Sequence, residues 1–361
     1  VERADVLIVG GGPAGSACAA GLVAGGREVL VLDAATFPRE KPCAGWITPE
    51  VVAELPMDLE EYGREHTLQP ISSFRVGRVG GRAVDVDYET PVSYGIRRLE
   101  LDAELLRRSG ARVRQGERVR EIRRRGGDWV LNGAYAAPVV VGAGGHFCPV
   151  ARLLGGGTET SPVVVAREIE YPLAGPGPRR GRVEGERPEL YFCGDLEGYG
   201  WCFRKGGFLN VGLGRRDPRA LGRHVDAFVD WLVAEGRIEV PPASGWRGHA
   251  YRLRAGRPRR PVGDGLLLVG DAAGLAFSAS GEGIGPAMVS GRLAAETLLE
   301  APGPHDAARL EVYAARLEDA LGPAATRRAL PAPLARLAGS ALLSSPWLTR
   351  RVVLDSWFLH R

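Results

Sequence analysis

The chain opens on an apolar run, residues 5–9 (DVLIV), that stops at three glycines. A short continuous run bounded by turn residues predicts a strand buried on both faces. Residues 14–24 (AGSACAAGLVA) are nearly all small and predict a closely packed helix, with Cys18 among the packing residues. Residues 28–33 (EVLVLD) predict a second buried strand, so the chain begins with a strand–helix–strand unit.

Further on the pattern turns β-rich. Residues 71–97 hold short alternating runs (SFRVGRV, RAVDVDY) separated by Gly and Pro, and 99–108 have helical spacing. Strands are expected near 111–122, 128–132, 138–142, 162–171 and 188–214, and a helix over 221–236. Residues 265–270 (GLLLVG) predict one more buried strand, followed by a helix through Glu300. From His305 the tail reads as helices broken by Pro323, Pro331, Pro333 and Pro346. The β-rich blocks interrupt the opening unit rather than follow it. The expected organisation is a discontinuous nucleotide-binding domain (1–70, 95–160 and 255–302), a β-rich substrate domain (71–94 and 161–254) and a helical tail (303–361).

Composition narrows the classes. The chain has 361 residues, 45% hydrophobic and 25% charged, enough to bury a core without disulfide or metal staples. The net charge of +4 comes from scattered arginines and gives no case for nucleic acid. The arginines at 118–125 read as a solvated hairpin face, and Arg254, Arg257, Arg259 and Arg260 as a solvated loop. The five cysteines (Cys18, Cys43, Cys148, Cys193, Cys202) form no CxxC pair, which argues against zinc or a disulfide framework and for a reducing cytoplasm. No apolar stretch approaches the about 20 residues of a membrane span, and Val6 to Val9 is too short for a signal peptide.

The candidate chemistry starts at Gly10-Gly11-Gly12-Pro13-Ala14-Gly15. Gly10 permits a tight turn, Gly12 lets the backbone approach a pyrophosphate, and Gly15 lets helix and strand touch. The helix beginning at Pro13 and Ala14 offers its N-terminus to phosphate. Asp33 ends the second strand, 18 residues after Gly15, where a carboxylate accepts hydrogen bonds from a ribose diol. This motif leaves NAD and FAD open. Residues 266–291 (LLLVGDAAGLAFSASGEGIGPAMVSG) supply a second element. Asp271 follows a strand and can meet a ribityl or pyrophosphate-side hydroxyl, or can simply cap a helix. Gly281, Gly283 and Ile284 begin a helix whose positive end suits the N1/C2=O edge of a reduced flavin.

Together these elements resemble the p-hydroxybenzoate hydroxylase superfamily, with its N-terminal GxGxxG and late GDAA segment. Arg98-x-x-Leu101-Asp102-x-x-Leu105 is similar to that superfamily's R-x-x-(F/L)-D-x-x-L, whose arginine lies along the FAD; the competing reading of Arg98 is a solvated charge at a helix start. The middle ADG motif departs: it reads Ala143-Gly144-Gly145-His146, with Arg152 as its trailing arginine. Residues 38–49 (PREKPCAGWITP) resemble the KPCGG segment of geranylgeranyl reductases. Tyr199, Trp201, Phe203, Gly212 and Gly214 are similar to that family's YxWxFP…GxG, except that Arg204 replaces proline; Gly281 to Ile284 matches its GEGI.

The resemblance covers about the first 300 residues. It implies an α/β fold, a Rossmann-like FAD-binding domain interleaved with a β-sheet substrate domain. It implies FAD as cofactor, NAD(P)H or a reduced electron-carrier protein as transient donor, and reduction of C=C bonds in an isoprenoid or other hydrophobic substrate. A monooxygenase, a halogenase or a flavin-binding protein without turnover are the alternatives. Cys43 and Ala44 are expected at the flavin, with Cys43, Tyr199 and Trp201 as catalytic candidates. Tyr199 and Trp201 alternate with Gly200 and Cys202 and so share one strand face. No Asp or Glu stands out as an acid near the pocket. Lys41 reads as a solvated loop charge and His146 as a structural hydrogen-bonder. The tail (333–361) either packs on the body or lies at a membrane surface to receive a lipid.

Overall fold

The computed structural model describes residues 1–155, 161–173, 181–256, 259–300, 305–325 and 332–360. Arg257 and Pro331 lie outside these ranges. The elements that position the site are, in chain order, β1 (Val6–Val9), α1 (Pro13–Ala24), β2 (Val29–Asp33), α2 (Arg98–Arg108), β3 (Val139–Gly142), β4 (Val163–Pro172), β5 (Gly198–Lys205), β6 (Phe208–Arg215), β7 (Arg247–Arg252), β8 (Leu266–Leu268) and α3 (Ile284–Glu300).

The apolar runs form the centre of a six-stranded sheet in which β8, β3, β1 and β2 lie parallel and in that order. Strands buried on both faces need no alternation, which is why these segments read as unbroken Val, Leu and Ile. The small residues of α1 pack against α3, where Cys18, Ala19, Ala294 and Ala295 are all buried. Burial pushes the Cys18 thiol up to about 12, as befits a packing residue.

The second sheet has seven strands in the order β7–β4–β6–β5, then Glu189–Phe192, Ser73–Arg78 and Ala83–Asp87. The candidate site is a cavity lined by Val9, Leu32 and Asp33 at the carboxyl ends of β1 and β2 and by Glu168, Tyr199 and Trp201 of this second sheet. The strands expected near 111–122 are Arg112–Gln115, beside β2, and Ile122–Arg125, which lies in a different sheet in an exposed hairpin. Strand β7 (RGHAYR) was not legible, because an edge strand this polar carries no hydrophobic signal.

The arginine loop after β7 is also less solvated than its sequence suggests. Arg254 is 8% exposed and donates to Gly322 O; Arg259 donates to Ala272 O at 2.9 Å; Arg260 pairs with Glu311. The end of the tail packs on the body. The π-helical segment Thr349–Phe358 buries Val353, Leu354 and Phe358 in the cluster that holds Phe74, Trp201 and Phe203. Tyr88 fixes it by donating to Asp355 at 2.8 Å. Among the described residues, no helix is long and apolar enough to cross a membrane.

Candidate active site

A single cavity of about 740 Å³ runs from the Gly10–Ala14 turn to the face of the seven-stranded sheet. At its nucleotide end no side chain caps α1, whose N-cap residue is Gly12, so the helix terminus is left to a ligand. Asp33 sits at the end of β2, accepting from Gly11 N at 2.7 Å and Ala35 N at 2.8 Å. Glycine-limited backbone, an uncapped helix and a carboxylate on one wall are the parts a dinucleotide requires.

Further along the cavity stand three cations. Arg98 is bidentate to Asp102, at 2.8 and 2.9 Å across one turn of α2, and Arg39 meets the same carboxylate at 3.1 Å. Asp102 is fully buried and Arg98 only 10% exposed, so Arg98 is not a solvated helix-start charge. Lys41 is likewise not a solvated loop charge. Its Nζ lies 3.1 Å from His249 Nδ1, and burial lowers its pKa. His249 Nε2 in turn lies 3.4 Å from Asp271. Burial pushes against ionisation of Asp271, but His249, Lys41 and Arg98 outweigh it and hold the carboxyl below its ordinary range. Arg39, Lys41, Arg98 and Asp271 all line the cavity. Gly281 and Gly283 line the same wall, and Ile284 begins α3 there. On the wall of the altered ADG motif, Gly144 and Gly145 bring no carboxylate; Arg152 donates to Phe147 O at 3.1 Å. His146 forms part of a short turn there, and burial lowers its pKa.

The substrate end is ordered by strand register. Tyr199, Gly214, Ala166 and His249 form one row across β5, β6, β4 and β7. Trp201, Gly212 and Glu168 form the next, and Phe203, Asn210 and Glu170 the third. Opposed residues share a face, so all three rows face one way. A Cβ on Gly212 would stand 2.4 Å from Trp201 Cζ2 and 2.7 Å from Glu168 Cβ; the glycine leaves room for the indole to lie toward Glu168. Tyr199 and Trp201 therefore do share a wall of the cavity, joined there by Phe358, which stacks on Trp46 with centroids 5.2 Å apart. Both candidate donors are engaged. Tyr199 donates to Ser280 O at 2.6 Å, and burial raises its pKa; Trp201 Nε1 donates to Asn210 at 2.7 Å.

Cys43 lies in a loop tied tightly to this face. Its N–H donates to Glu168 Oε1 at 2.7 Å, its carbonyl accepts from Asn210 at 3.2 Å, and its Sγ accepts from Gly45 N at 3.4 Å. The next residue, Ala44, is held by Lys205, whose Nζ donates to Ala44 O and Ile96 O at 3.0 Å each and pairs with Glu170 at 2.5 Å. The expectation that no carboxylic acid stands near the pocket is overturned. Glu168 lines the cavity beside Cys43, and burial pushes its carboxyl up to about 7. Its place in β4 gives no motif. Only the pairing of β4 with β6 brings it opposite Gly212 and Trp201.

A Rossmann-like nucleotide site with flavin-side elements, opening onto an aromatic sheet face, defines a flavin oxidoreductase of the doubly wound α/β type. The family model for NAD(P)-binding Rossmann-like domains matches residues 8–54. The menaquinone reductase of Mycobacterium tuberculosis is 33% identical over 321 residues, covering 82% of this chain and 77% of that protein. The chloroplastic geranylgeranyl diphosphate reductase of Oryza sativa is 31% identical over 323 residues, covering 82% and 67%. The crystal structure of a geranylgeranyl bacteriochlorophyll reductase-like protein from Thermoplasma acidophilum has a TM-score of 0.75 at 21% identity, covering 98% of this chain and 92% of that one. The chain belongs to the geranylgeranyl reductase family of FAD-dependent oxidoreductases.

Proposed function

We propose that this protein saturates C=C bonds in the isoprenoid chain of a lipid or quinone. One observation carries the reading. The cavity that begins at the nucleotide turn ends on Tyr199, Trp201, Trp46 and Phe358, an apolar wall suited to a hydrocarbon rather than a polar ring. FAD, when bound and reduced, supplies hydride; NAD(P)H or a reduced carrier protein serves as the transient donor.

The protein's own part is positioning. Gly10, Gly12, Pro13, Ala14, Gly15 and Asp33 hold the nucleotide half of the cofactor. Arg98, Asp271, Gly281, Gly283 and Ile284 hold the diphosphate and flavin side. Cys43 and Ala44, fixed from below by Asn210 and Lys205, present a rigid loop to the reacting bond. Phe358 and Tyr199 pack edge to face, 5.5 Å apart, and keep water from the substrate end.

The test is anaerobic incubation of the FAD-loaded protein and dithionite with geranylgeranyl diphosphate, menaquinone and a geranylgeranyl glycerolipid in turn. Mass spectrometry should find a gain of hydrogen pairs in at least one; no gain in any rejects the reading. Cys43→Ala is expected to keep its FAD and lose most turnover. Because the loop is held through the backbone of Cys43, FAD content and thermal midpoint should stay near wild type. Undiminished turnover would remove the thiol from the chemistry.

A further inference from the structure

Saturating an alkene needs a proton as well as a hydride, and Tyr199 and Trp201 already donate to Ser280 O and Asn210. Among the described residues, Glu282 and Glu168 both line the cavity with an unpartnered carboxylate oxygen, and of the two Glu168 shares the strand row of Trp201. It is 5% exposed and lines the cavity one residue row from Tyr199, opposite Trp201 across Gly212. Its Oε1 accepts from Cys43 N at 2.7 Å, and among the described residues its Oε2 has no hydrogen-bond partner. An unpartnered buried carboxylate oxygen is costly, and protonation relieves that cost.

We propose that Glu168 is the acid that protonates the alkene, an inference that rests on the C=C-reducing reading above. The hydride pair forms a C–H bond at one alkene carbon. The alkene π pair forms the second C–H bond with the Glu168 proton, and the O–H bond breaks to leave the carboxylate. The flavin is oxidised by two electrons, the substrate is reduced by two, and water re-protonates Glu168 between turnovers.

The surroundings set the pH dependence. Burial raises the Glu168 pKa to about 7, and Glu170 on the same strand adds to that. Lys205 from β5, Asn210 from β6 and the Cys43 N–H from the loop act in the opposite sense. From β7, Arg247 is drawn out to Glu40 at 3.3 Å, while His249 and Tyr251 lie along the cavity wall with Lys41 and Glu282. The donating form is the protonated one, present below about 7. Turnover should therefore fall by about tenfold per pH unit above that limb when chemistry limits the rate.

The experiment compares wild type, Glu168→Gln and Glu282→Gln as FAD holoproteins, by turnover against pH and by infrared titration of protonated carboxyl groups. The glutamine keeps an acceptor for Cys43 N–H, so FAD content should hold. Glu168→Gln should lose ~100-fold or more in turnover, flatten the limb near pH 7 and remove one carboxylic C=O band. Glu282, also pushed up to about 7 by burial, is the rival; the limb should persist in Glu282→Gln, and its loss there overturns the proposal. Wild-type rate and pH profile in Glu168→Gln overturn it too, while leaving the C=C-reducing reading intact. A wild type that saturates no isoprenoid removes that reading and the proposal together. Should Glu168→Gln lose FAD, Glu168→Asp decides: slowed turnover with the limb retained supports the acid, and full turnover overturns it.

Discussion

Gly15→Ala is expected to cost the protein its bound flavin. The added Cβ would stand 1.9 Å from Gly10 O and 3.1 Å from Ala143 Cβ, with backbone on one side and the half-buried residue after β3 on the other. Nothing there is a flexible side chain that can swing away. Helix α1 must move off β1, and its N-terminus then leaves the cavity wall. Gly10 cannot compensate, since it holds φ at 112° and is itself pressed against Ala143. Overpacking costs about 1–3 kcal/mol, which corresponds to ~10–100-fold in affinity for a ligand that requires the undisplaced helix. Gel filtration followed by the visible flavin spectrum measures it. A variant that retains full flavin would show that the turn is not the nucleotide site.

Lys205→Met should cause the largest loss of stability among single substitutions in the site. Lys205 is 1% exposed and is the shared partner of Ala44 O, Ile96 O and Glu170. Methionine fills the volume but leaves the Ala44 and Ile96 carbonyls and a carboxylate short of a donor. Arg97 still reaches Glu170 at 2.9 Å and softens the loss. Breaking a buried pair from one side costs about 3–5 kcal/mol, so a large drop in the thermal midpoint is expected. The penalty depends on pH with a definite sign. Burial pushes the Glu170 pKa upward, but Lys205 and Arg97 outweigh it and hold the group below its ordinary value. The pair thus stabilises the fold above the unfolded carboxylate pKa and fades as pH falls through the folded one. The gap in midpoint between variant and wild type should narrow in acid; a gap independent of pH would refute the ion-pair account. The Cys43 loop should also loosen, and turnover should fall more than FAD content does.

What was legible in the sequence was local. The turn from Gly10 to Gly15, the acid at Asp33 and the segment from Asp271 to Ile284 are each a short run of residues, so they could be read as candidates from spacing. The shared face of Tyr199 and Trp201 followed from strand alternation alone. What was missed depends on long-range pairing. Lys41 looks solvated until β7 places His249, 208 residues later, against it. Arg98 is a buried charge on Asp102, a carboxylate that Arg39, far earlier in the chain, also meets. Glu168 belongs to no motif and becomes an acid candidate only through the pairing of β4 with β6. That Trp201 donates to Asn210, nine residues on, likewise required the hairpin register. Sheets whose neighbouring strands lie far apart in the chain conceal such pairs.

The proposed reaction passes the electrons of the reduced flavin to a carbon–carbon double bond. An anaerobic single-turnover mixing experiment tests it most directly. Photoreduced holoprotein is mixed with the isoprenoid that proved active, without oxygen or halide, while flavin absorbance is followed and the product is weighed by mass spectrometry. Flavin should re-oxidise in one-to-one proportion to the bond saturated. A flavin that stays reduced until oxygen is admitted, with an oxygenated or halogenated product appearing only then, would contradict the account.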